Sequence, residues 1–278
     1  MTTLSIHNHD RDSAGYTYVY PVISRRAGGI SVGINLNPNN ACNWACIYCQ
    51  VPNLIRGNAP AINLAQLEQE LLDFLTQAVR GDWLEQHVPA EARVLQDIAI
   101  SGNGEPTSAQ EFPQVVELAG RMLREFALDD VKLRLITNGS LMSRTGVQDA
   151  IRAMGAMNGE VWFKLDRATA EGMATVNQIN DHMDAVRKRL IACADSCTTW
   201  LQTCWFARDG LAPSQGERSA YVDFVRGVAD RVAGVHLYGL ARQPMQPGSE
   251  RLSALPLETL ESFGQEIRNI GINVTVSE

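Results

Sequence analysis

The chain is organised around the segment NACNWACIYCQ, residues 40–50, in which three cysteines follow one another at the spacing C-x3-C-x2-C. Cys42, Cys46 and Cys49 make up half of the six cysteines in the chain. Three thiolates on one tight loop can hold three corners of a 4Fe–4S cluster and leave the fourth iron open to a small chelating ligand. A zinc site is the alternative, but it normally closes with four ligands, and no fourth Cys or His lies near in sequence. The spacing therefore predicts a cluster-binding loop with an open iron.

Length and composition set the broad class. At 278 residues the chain is long enough for one domain with a large core, and an α/β barrel of this length is ordinary. The first ten residues lack the apolar core of a signal peptide, and no later apolar run approaches a membrane span. We therefore expect a cytoplasmic protein, in a compartment where clustered thiols indicate metal binding before disulfides. The formal net charge of −7 argues weakly against a surface built for polyanions such as RNA.

Apolar periodicity predicts that strands and helices alternate along most of the chain. We interpret residues 1–27 as an N-terminal extension with a short strand or extended cover over 16–23, and residues 28–278 as the main domain. Core strands are predicted over 30–36, 94–101, 132–136, 161–166, 198–206 and 235–240, and a further strand over 272–276. Six β/α units are too few for a closed eight-stranded barrel, so the predicted fold is α/β, an open partial (β/α)6 barrel.

Helix boundaries follow from capping residues and apolar faces. Asn63 is predicted to cap the first helix, whose apolar face consists of Leu64, Leu67, Leu71, Leu75 and Val79. A second helix follows Pro113, and Ser143 is predicted to cap a third that runs through Met154. Further helices are predicted over 182–192, 219–232 and 257–270.

A second motif, Gly102-Asn103-Gly104-Glu105-Pro106, follows the second core strand. In isolation it is typical of a strand-to-loop turn, but its glycines also allow the backbone to approach a ligand without a Cβ in the way. Ligands of such sheets bind at the carboxyl ends of the strands, where the cysteine loop also lies, so the two motifs can meet in space. Backbone carbonyls and the Glu105 carboxylate could accept hydrogen bonds from an ammonium group chelated at the open iron. Alternatively, Glu105 orients the loop itself.

The cysteine loop and the Gly-Asn-Gly-Glu-Pro motif together resemble the radical S-adenosylmethionine (SAM) superfamily, whose members reduce a 4Fe–4S cluster, split SAM and release a 5′-deoxyadenosyl radical. Residues 22–26, 161–166, 201–203 and 240–244 are similar to the subgroup that contains the tRNA wyosine-base synthases. The resemblance covers about residues 16–278. It implies that Cys42, Cys46 and Cys49 ligate the cluster and that the aromatic Tyr48 belongs to the cluster loop.

The resemblance also implies how SAM is bound. Gly102, Asn103, Gly104 and Glu105 are expected to hold its methionine end. Asn138, together with the strand ends near Lys164 and Leu240, is expected to line the nucleoside or substrate space. For Asn138 the alternative is an ordinary Asn-Gly turn.

One departure from the subgroup affects the expected reaction. Wyosine-base synthases carry a second cluster bound by cysteines ahead of the radical SAM loop, whereas this chain has no cysteine before Cys42. The three later cysteines, Cys193, Cys197 and Cys204, are too scattered for a second cluster and are interpreted as small buried hydrophobes, although Cys204 could approach the cavity. We assign no role to His7 and His9 and interpret His236 as a core histidine.

Lys164 and Asp166 are the predicted catalytic residues. Period-two alternation places Trp162, Lys164 and Asp166 on one strand face, which we expect to point into the barrel. A buried lysine is costly unless paired, and Asp166 is its candidate partner. We predict that Lys164 contacts the substrate or the SAM carboxylate and that Asp166 orients Lys164 or the ribose. The alternative is a purely structural ion pair.

The leading functional hypothesis is an enzyme that abstracts hydrogen from an unidentified substrate, with a modified tRNA base as the candidate that the resemblance favours. Activation of a glycyl-radical partner and radical chemistry on a small molecule are the enzymatic alternatives. The third alternative is not an enzyme but an iron–sulfur or zinc module for sensing or interaction. The intact glycine motif argues against this alternative. The expected cofactors are one 4Fe–4S cluster and SAM, and the expected partner is an electron donor such as flavodoxin or ferredoxin.

Overall fold

The computed structural model of the protein describes residue 4, residues 14–24 and residues 27–278. His7, His9 and the two arginines Arg25 and Arg26 lie outside the described residues. Within the described part, no helix is both long enough and apolar enough to pass through a lipid bilayer.

Strands and helices alternate through most of the described chain. The strands are β1 (Val19–Ser24), β2 (Gly29–Ile34), β3 (Ala41–Cys42), β4 (Ile55–Arg56), β5 (Leu95–Ile100), β6 (Lys132–Thr137), β7 (Glu160–Lys164), β8 (Thr198–Cys204), β9 (Ala207–Arg208), β10 (Gly234–Tyr238), β11 (Leu252–Ser253) and β12 (Asn273–Ser277). The α-helices are α1 (Leu64–Leu75), α2 (Trp83–His87), α3 (Phe112–Glu125), α4 (Thr145–Ala156), α5 (Ala170–Val176), α6 (Met183–Ala194), α7 (Gln215–Arg226) and α8 (Leu257–Arg268).

Eight strands form one curled sheet in the order β1-β2-β5-β6-β7-β8-β10-β12. β1 runs antiparallel to β2, and every other neighbouring pair in this sheet is parallel. In the described chain β1 and β12 do not pair with each other, so the barrel is open. The predicted open α/β half-barrel is thus confirmed, with β12 as a seventh parallel strand. The strand expected in the N-terminal extension joins the same sheet, and the domain boundary at residue 27 stays a prediction.

The two faces of the sheet differ in polarity. In β7, Val161 and Phe163 are buried towards the helices, whereas Trp162 and Lys164 line the interior of the half-barrel. In β6 the buried Leu133 and Leu135 alternate in the same way with more exposed residues. Because a strand turns successive side chains to opposite faces, crossover helices cover the apolar face and leave a polar interior.

Two helices depart from the predicted pattern for local reasons. The chain leaves α1 through a π-helical turn, Thr76–Arg80, which changes the angular phase of the helix. Ala78 is therefore buried while Val79, predicted to lie on the apolar face, is exposed. The predicted cap Ser143 is wrong, because α4 begins at Thr145 with Arg144 in the N-cap position.

The sequence interpretation also shifted one helix and missed two short ones, α2 and α5. α7 begins at Gln215, four residues before its predicted start, because Ser214 and Glu217 form a capping box. α5 was not predicted, although Thr169 caps it by accepting a hydrogen bond from the Gly172 amide. Its seven residues are too short to produce a clear periodicity.

Glu70 connects the beginning of the described chain to α1. This glutamate is 8% exposed, and its carboxylate accepts hydrogen bonds from the backbone amides of Thr17 (3.1 Å), Tyr18 (2.7 Å) and Val19 (3.2 Å). Three amides at the edge of the sheet are thereby satisfied by one buried charge.

We expect Glu70→Gln to lower the free energy of unfolding by about 2 kcal/mol, because a neutral amide accepts more weakly and turns an N–H group towards other donors. The measurement is urea denaturation. The matched control is Glu68→Gln on the same helix, where the ion pair with Arg121 is exposed and should be worth at most about 1 kcal/mol. Equal losses in the two variants would contradict the assignment.

Candidate active site

A cavity of about 810 Å³ occupies the interior of the half-barrel and opens among the loops at the carboxyl ends of its strands. It brings together the predicted cluster and cofactor residues and Lys164, all of which line it: Cys42, Cys46, Tyr48, Cys49, Gly102, Asn103, Gly104, Glu105, Asn138, Lys164 and Leu240. Asp166 lies beneath this lining and is 1% exposed. Residues from across the chain therefore converge where parallel α/β sheets bind ligands.

The three cysteines of the loop carry free thiols. Cys46 is buried, whereas Cys42 and Cys49 are half-buried. Burial raises the pKa of the Cys42 and Cys46 thiols to about 12. Among the residues that the structure describes, no three His, Cys, Asp or Glu side chains converge closely enough to hold a single metal ion.

The end of α5 supports the cysteine loop from below. The backbone amide of Ala45 donates to the Asn177 carbonyl (3.3 Å), and that of Ile47 donates to the Val176 carbonyl (2.9 Å). The Asn177 side-chain amide donates to Cys46 Sγ (3.2 Å) and to Asp166 Oδ2 (2.7 Å). Sequence reasoning missed Asn177 because it follows the unpredicted helix. The Thr169 cap was the one local signal that could have revealed this element.

Asp166 is a buried junction between the loop and the sheet. Its Oδ2 accepts from the Tyr48 hydroxyl (2.6 Å), and its Oδ1 accepts from the Cys204 backbone amide (2.9 Å). Burial raises the pKa of the Tyr48 hydroxyl well above its ordinary value, and the Asp166 charge acts in the same direction. Tyr48 therefore remains a donor, and its ring is fixed in the cavity wall.

The expected pairing of Lys164 with Asp166 is not observed. β7 ends at Lys164, so the period-two alternation does not continue to Asp166, and in the described chain no ion pair joins the two side chains. Lys164 Nζ instead donates to the Tyr238 hydroxyl (3.3 Å) and lies 5.0 Å from the centroid of the Tyr48 ring. Burial alone would lower the pKa of Lys164, but Tyr238 and Asp166 offset it, and the net shift is upward. The catalytic roles of both residues stay predictions.

Glu105 uses its carboxylate to join two loops. Oε1 accepts from the Thr107 amide (3.1 Å), the Thr107 hydroxyl (2.5 Å) and the Thr137 hydroxyl (2.7 Å), while Oε2 accepts from the Asn138 amide (2.7 Å). Burial raises the pKa of Glu105, and these hydrogen bonds oppose that shift. With four donors already in place, the geometry favours the alternative in which Glu105 orients the loop.

The glycines of the second motif permit close contact between loops. A Cβ on Gly102, whose φ is +149°, would lie 2.3 Å from Asn35 Oδ1, and one on Gly104 would lie 2.0 Å from the Ala41 carbonyl oxygen. Asn35 Oδ1 also accepts from the Asn103 amide (3.0 Å). The motif thus needs glycine for packing against the entry to the cysteine loop as well as for any approach to a ligand.

Two further contacts fasten the cysteine loop. The Asn138 side-chain amide donates to Asn43 Oδ1 (2.8 Å), which connects the loop after β6 to the segment between the first two cysteines. On the opposite side, the Met245 amide donates to the Cys49 carbonyl (2.9 Å), and Gln246 Nε2 donates to the Val51 carbonyl (2.7 Å). The chain after Leu240 therefore holds the last cysteine in place.

The remaining cysteines and His236 lie as expected. Cys193 and Cys197 are buried near Thr199 and the Gly159 carbonyl, respectively, and neither lines the cavity, whereas Cys204 does. His236 is packed between two tryptophan rings, and its Nδ1 lies 2.7 Å from Thr275 Oγ1.

Sequence comparison finds partial similarity to curated proteins. No protein-family model matches the chain. The UPF0026 protein MJ1312 of Methanocaldococcus jannaschii is 26% identical over 185 residues, which cover 62% of this chain and 46% of that protein. GTPase Obg of Brachyspira hyodysenteriae is 26% identical over 122 residues, or 44% of this chain and 15% of Obg. The chain thus spans less than half the length of these curated relatives.

Among solved structures, the crystal structure of a radical SAM methyltransferase from Sphaerobacter thermophilus matches with a TM-score of 0.62 at 14% identity. The match covers 93% of this chain and 68% of the methyltransferase. The chain therefore has the fold of this radical SAM protein across nearly its whole length.

We expect Glu105→Gln to lower the free energy of unfolding by about 3 kcal/mol, because the new amide group would face a donor at a fully buried position. Urea denaturation measures the loss, and Glu117→Gln on the exposed face of α3 should stay within about 0.5 kcal/mol of wild type. Wild-type stability combined with weakened SAM binding would instead support the ligand contact predicted from the sequence.

Asn177→Leu should remove the side-chain donor to Cys46 and loosen the loop, and therefore leave the protein with less than half of the wild-type iron after anaerobic reconstitution. Iron is measured per folded chain, with circular dichroism as the test of folding. Asn269→Leu, on the exposed end of α8, is the control and should bind iron like wild type. A folded Asn177→Leu protein with full iron content would rule out this supporting role.

Proposed function

We propose that this protein is a radical SAM enzyme that abstracts hydrogen from a substrate held in the half-barrel cavity. The main support for this proposal is that the sequence motifs converge on one cavity. The C-x3-C-x2-C cysteines, the Gly102–Glu105 loop and Lys164 line a single cavity at the carboxyl ends of a parallel half-barrel sheet. When bound, a reduced 4Fe–4S cluster supplies the electron that splits SAM into methionine and a 5′-deoxyadenosyl radical.

The donor set fits such a cluster. Cys42, Cys46 and Cys49 line one cavity with free thiols. A closed zinc site normally takes four ligands, whereas three cysteines can hold three irons of a 4Fe–4S cluster and leave the fourth iron open. The hydrogen bond from Asn177 to Cys46 Sγ would stabilise one ligand as a thiolate.

The glycine loop offers a place for the methionine end of SAM. Asn103 Oδ1 is buried and accepts no hydrogen bond from the described residues. Its own side-chain amide donates to Asn40 Oδ1 (2.6 Å) at the entry to the cysteine loop. An unsatisfied buried acceptor is costly, and the ammonium group of SAM would supply the missing donor. In this arrangement Glu105 positions the loop, and the backbone carbonyls and Asn103 contact the ligand.

Tyr48 lines the cavity, and Asp166 lies beneath it. We assign Asp166 a positioning role, since its oxygens accept from Tyr48, Asn177 and the Cys204 amide. The Lys164 ammonium lies over the face of the Tyr48 ring. Lys164 lines the cavity, and we assign its charge to contact with a substrate.

The stretches similar to wyosine-base synthases support a modified tRNA base as one candidate substrate. The net charge of −7 weighs against a close copy of that reaction. A flavodoxin or ferredoxin in the cytoplasm would serve as the electron donor.

The test is anaerobic incubation of the reconstituted protein with SAM and dithionite, followed by chromatography for 5′-deoxyadenosine. We expect the wild type to form it and Cys42→Ala to reduce the yield by at least a hundredfold, because the cluster then loses a ligand. Cys193→Ala is the matched control and should retain most activity, since Cys193 lies outside the cavity lining. Failure of a wild-type protein with about four irons per chain to form 5′-deoxyadenosine would contradict the proposed function.

A further inference from the structure

Lys164 carries a positive charge and forms no ion pair with any described residue. Its ammonium group makes one hydrogen bond, to the Tyr238 hydroxyl, and no carboxylate of the described residues lies within ion-pair distance. Two of its three N–H donors are therefore unused within the described chain. The side chain is half-buried and lines the cavity. An ammonium group enclosed in this way is costly unless an anion pairs with it.

Gln202 places a second unused polar group beside Lys164. The two residues are direct cross-strand partners on β7 and β8 and both line the cavity. Gln202 is 2% exposed, yet its side-chain amide makes no hydrogen bond with any described residue. A buried amide with a free donor and acceptor needs a partner, and the cavity is where one can enter.

The acidic groups of the cavity are already engaged. Asp97 accepts from Ser31 and forms an ion pair with Arg134, and Glu105 is saturated by four donors. Glu278 also lines the cavity but is exposed to solvent. None of these carboxylates is within ion-pair distance of Lys164 in the described structure. Asp166, whose charge favours the ammonium form of Lys164, makes no ion pair with it in the described chain and already accepts from Tyr48, Asn177 and the Cys204 amide. The unpaired ammonium group of Lys164 therefore favours an external anion.

The position of Lys164 separates it from the glycine loop. β7 lies two strands from β5, or about 10 Å at ordinary strand spacing. Moreover, Lys164 leans towards Tyr238 on β10, which is on the side of β7 away from β5. The carboxylate and ammonium groups of an amino acid share one carbon atom, so SAM held by the glycine loop would keep its carboxylate near that loop.

We infer that Lys164, Gln202 and Tyr238 form a subsite for the carboxylate or phosphate group of a second ligand, the substrate of the proposed radical SAM reaction. This inference rests on the proposed function for the position of SAM, but the anion subsite itself does not depend on SAM cleavage. Lys164 supplies the charge and two N–H donors, and the Gln202 amide supplies a third donor next to it. The substrate class is thereby narrowed to anionic molecules.

Saturation-transfer NMR on the reconstituted protein tests this subsite with acetate as the probe, because the method detects weak binding through the acetate methyl protons. We expect transfer to acetate, displacement by inorganic phosphate at constant ionic strength, and little transfer to the neutral isostere acetamide. SAM should leave acetate binding unchanged. Displacement of acetate by SAM would overturn the assignment to a second ligand, since the SAM carboxylate would then occupy the subsite.

Substitutions test which residues bind acetate in the proposed subsite. Lys164→Met should weaken acetate binding at least tenfold and Gln202→Leu several-fold, whereas Lys188→Met, on the exposed face of α6, should bind like wild type. Equal acetate binding in Lys164→Met and Lys188→Met, or equal transfer to acetate and acetamide in the wild type, would refute the subsite. If circular dichroism shows that Lys164→Met does not fold, the subsite is tested with Gln202→Leu and with the comparison of acetate and acetamide binding in the wild type. Acetate binding without formation of 5′-deoxyadenosine would contradict the proposed function and leave the anion subsite standing.

Discussion

The organisation of the cavity depends on the buried carboxylate of Asp166. The cysteine loop is largely irregular after the two-residue strand β3, so it must be held by contacts with distant parts of the chain. Asp166 accepts from Tyr48 within the loop, from Asn177 after α5 and from the backbone of Cys204 on β8. A buried charge is tolerable only when its lone pairs are satisfied, and here satisfying them fixes three segments in relation to one another.

Glu105 has the same role on the other side of the cavity. Its four hydrogen bonds join the glycine loop to the loop after β6, and Asn138 extends that connection to Asn43 between the first two cysteines. The cysteine loop is thus anchored from both sides by acidic residues that contact it directly or through an asparagine. This arrangement is typical of sites in which loops supply the chemistry and a rigid sheet supplies the support.

The polar interior of the half-barrel contains groups of two kinds. Asp97 and Arg134 neutralise each other, and the His236 ring is packed between Trp162 and Trp200, so these residues stabilise the interior without needing a ligand. Lys164 and Gln202 line the cavity with hydrogen-bonding groups that no described residue uses. Since native proteins seldom leave buried polar groups unsatisfied, this second kind supports the anion subsite that we propose.

The amino-acid sequence by itself determined the order of the elements, the position of the cysteine and glycine motifs at strand ends, and the inward orientation of Lys164. These features depend on local periodicity and on turn residues, which act over a few neighbouring positions. Only the tertiary structure decided that Asp166 binds Tyr48 instead of Lys164, that Asn177 supports Cys46, and that Gln202 lies beside Lys164 without a side-chain partner among the described residues. Asp166 and Tyr48 are 118 positions apart, and Asn177 and Cys46 are 131 apart. The geometry of a buried hydrogen bond depends on how the strands and loops pack together, and no periodicity in the chain carries that information.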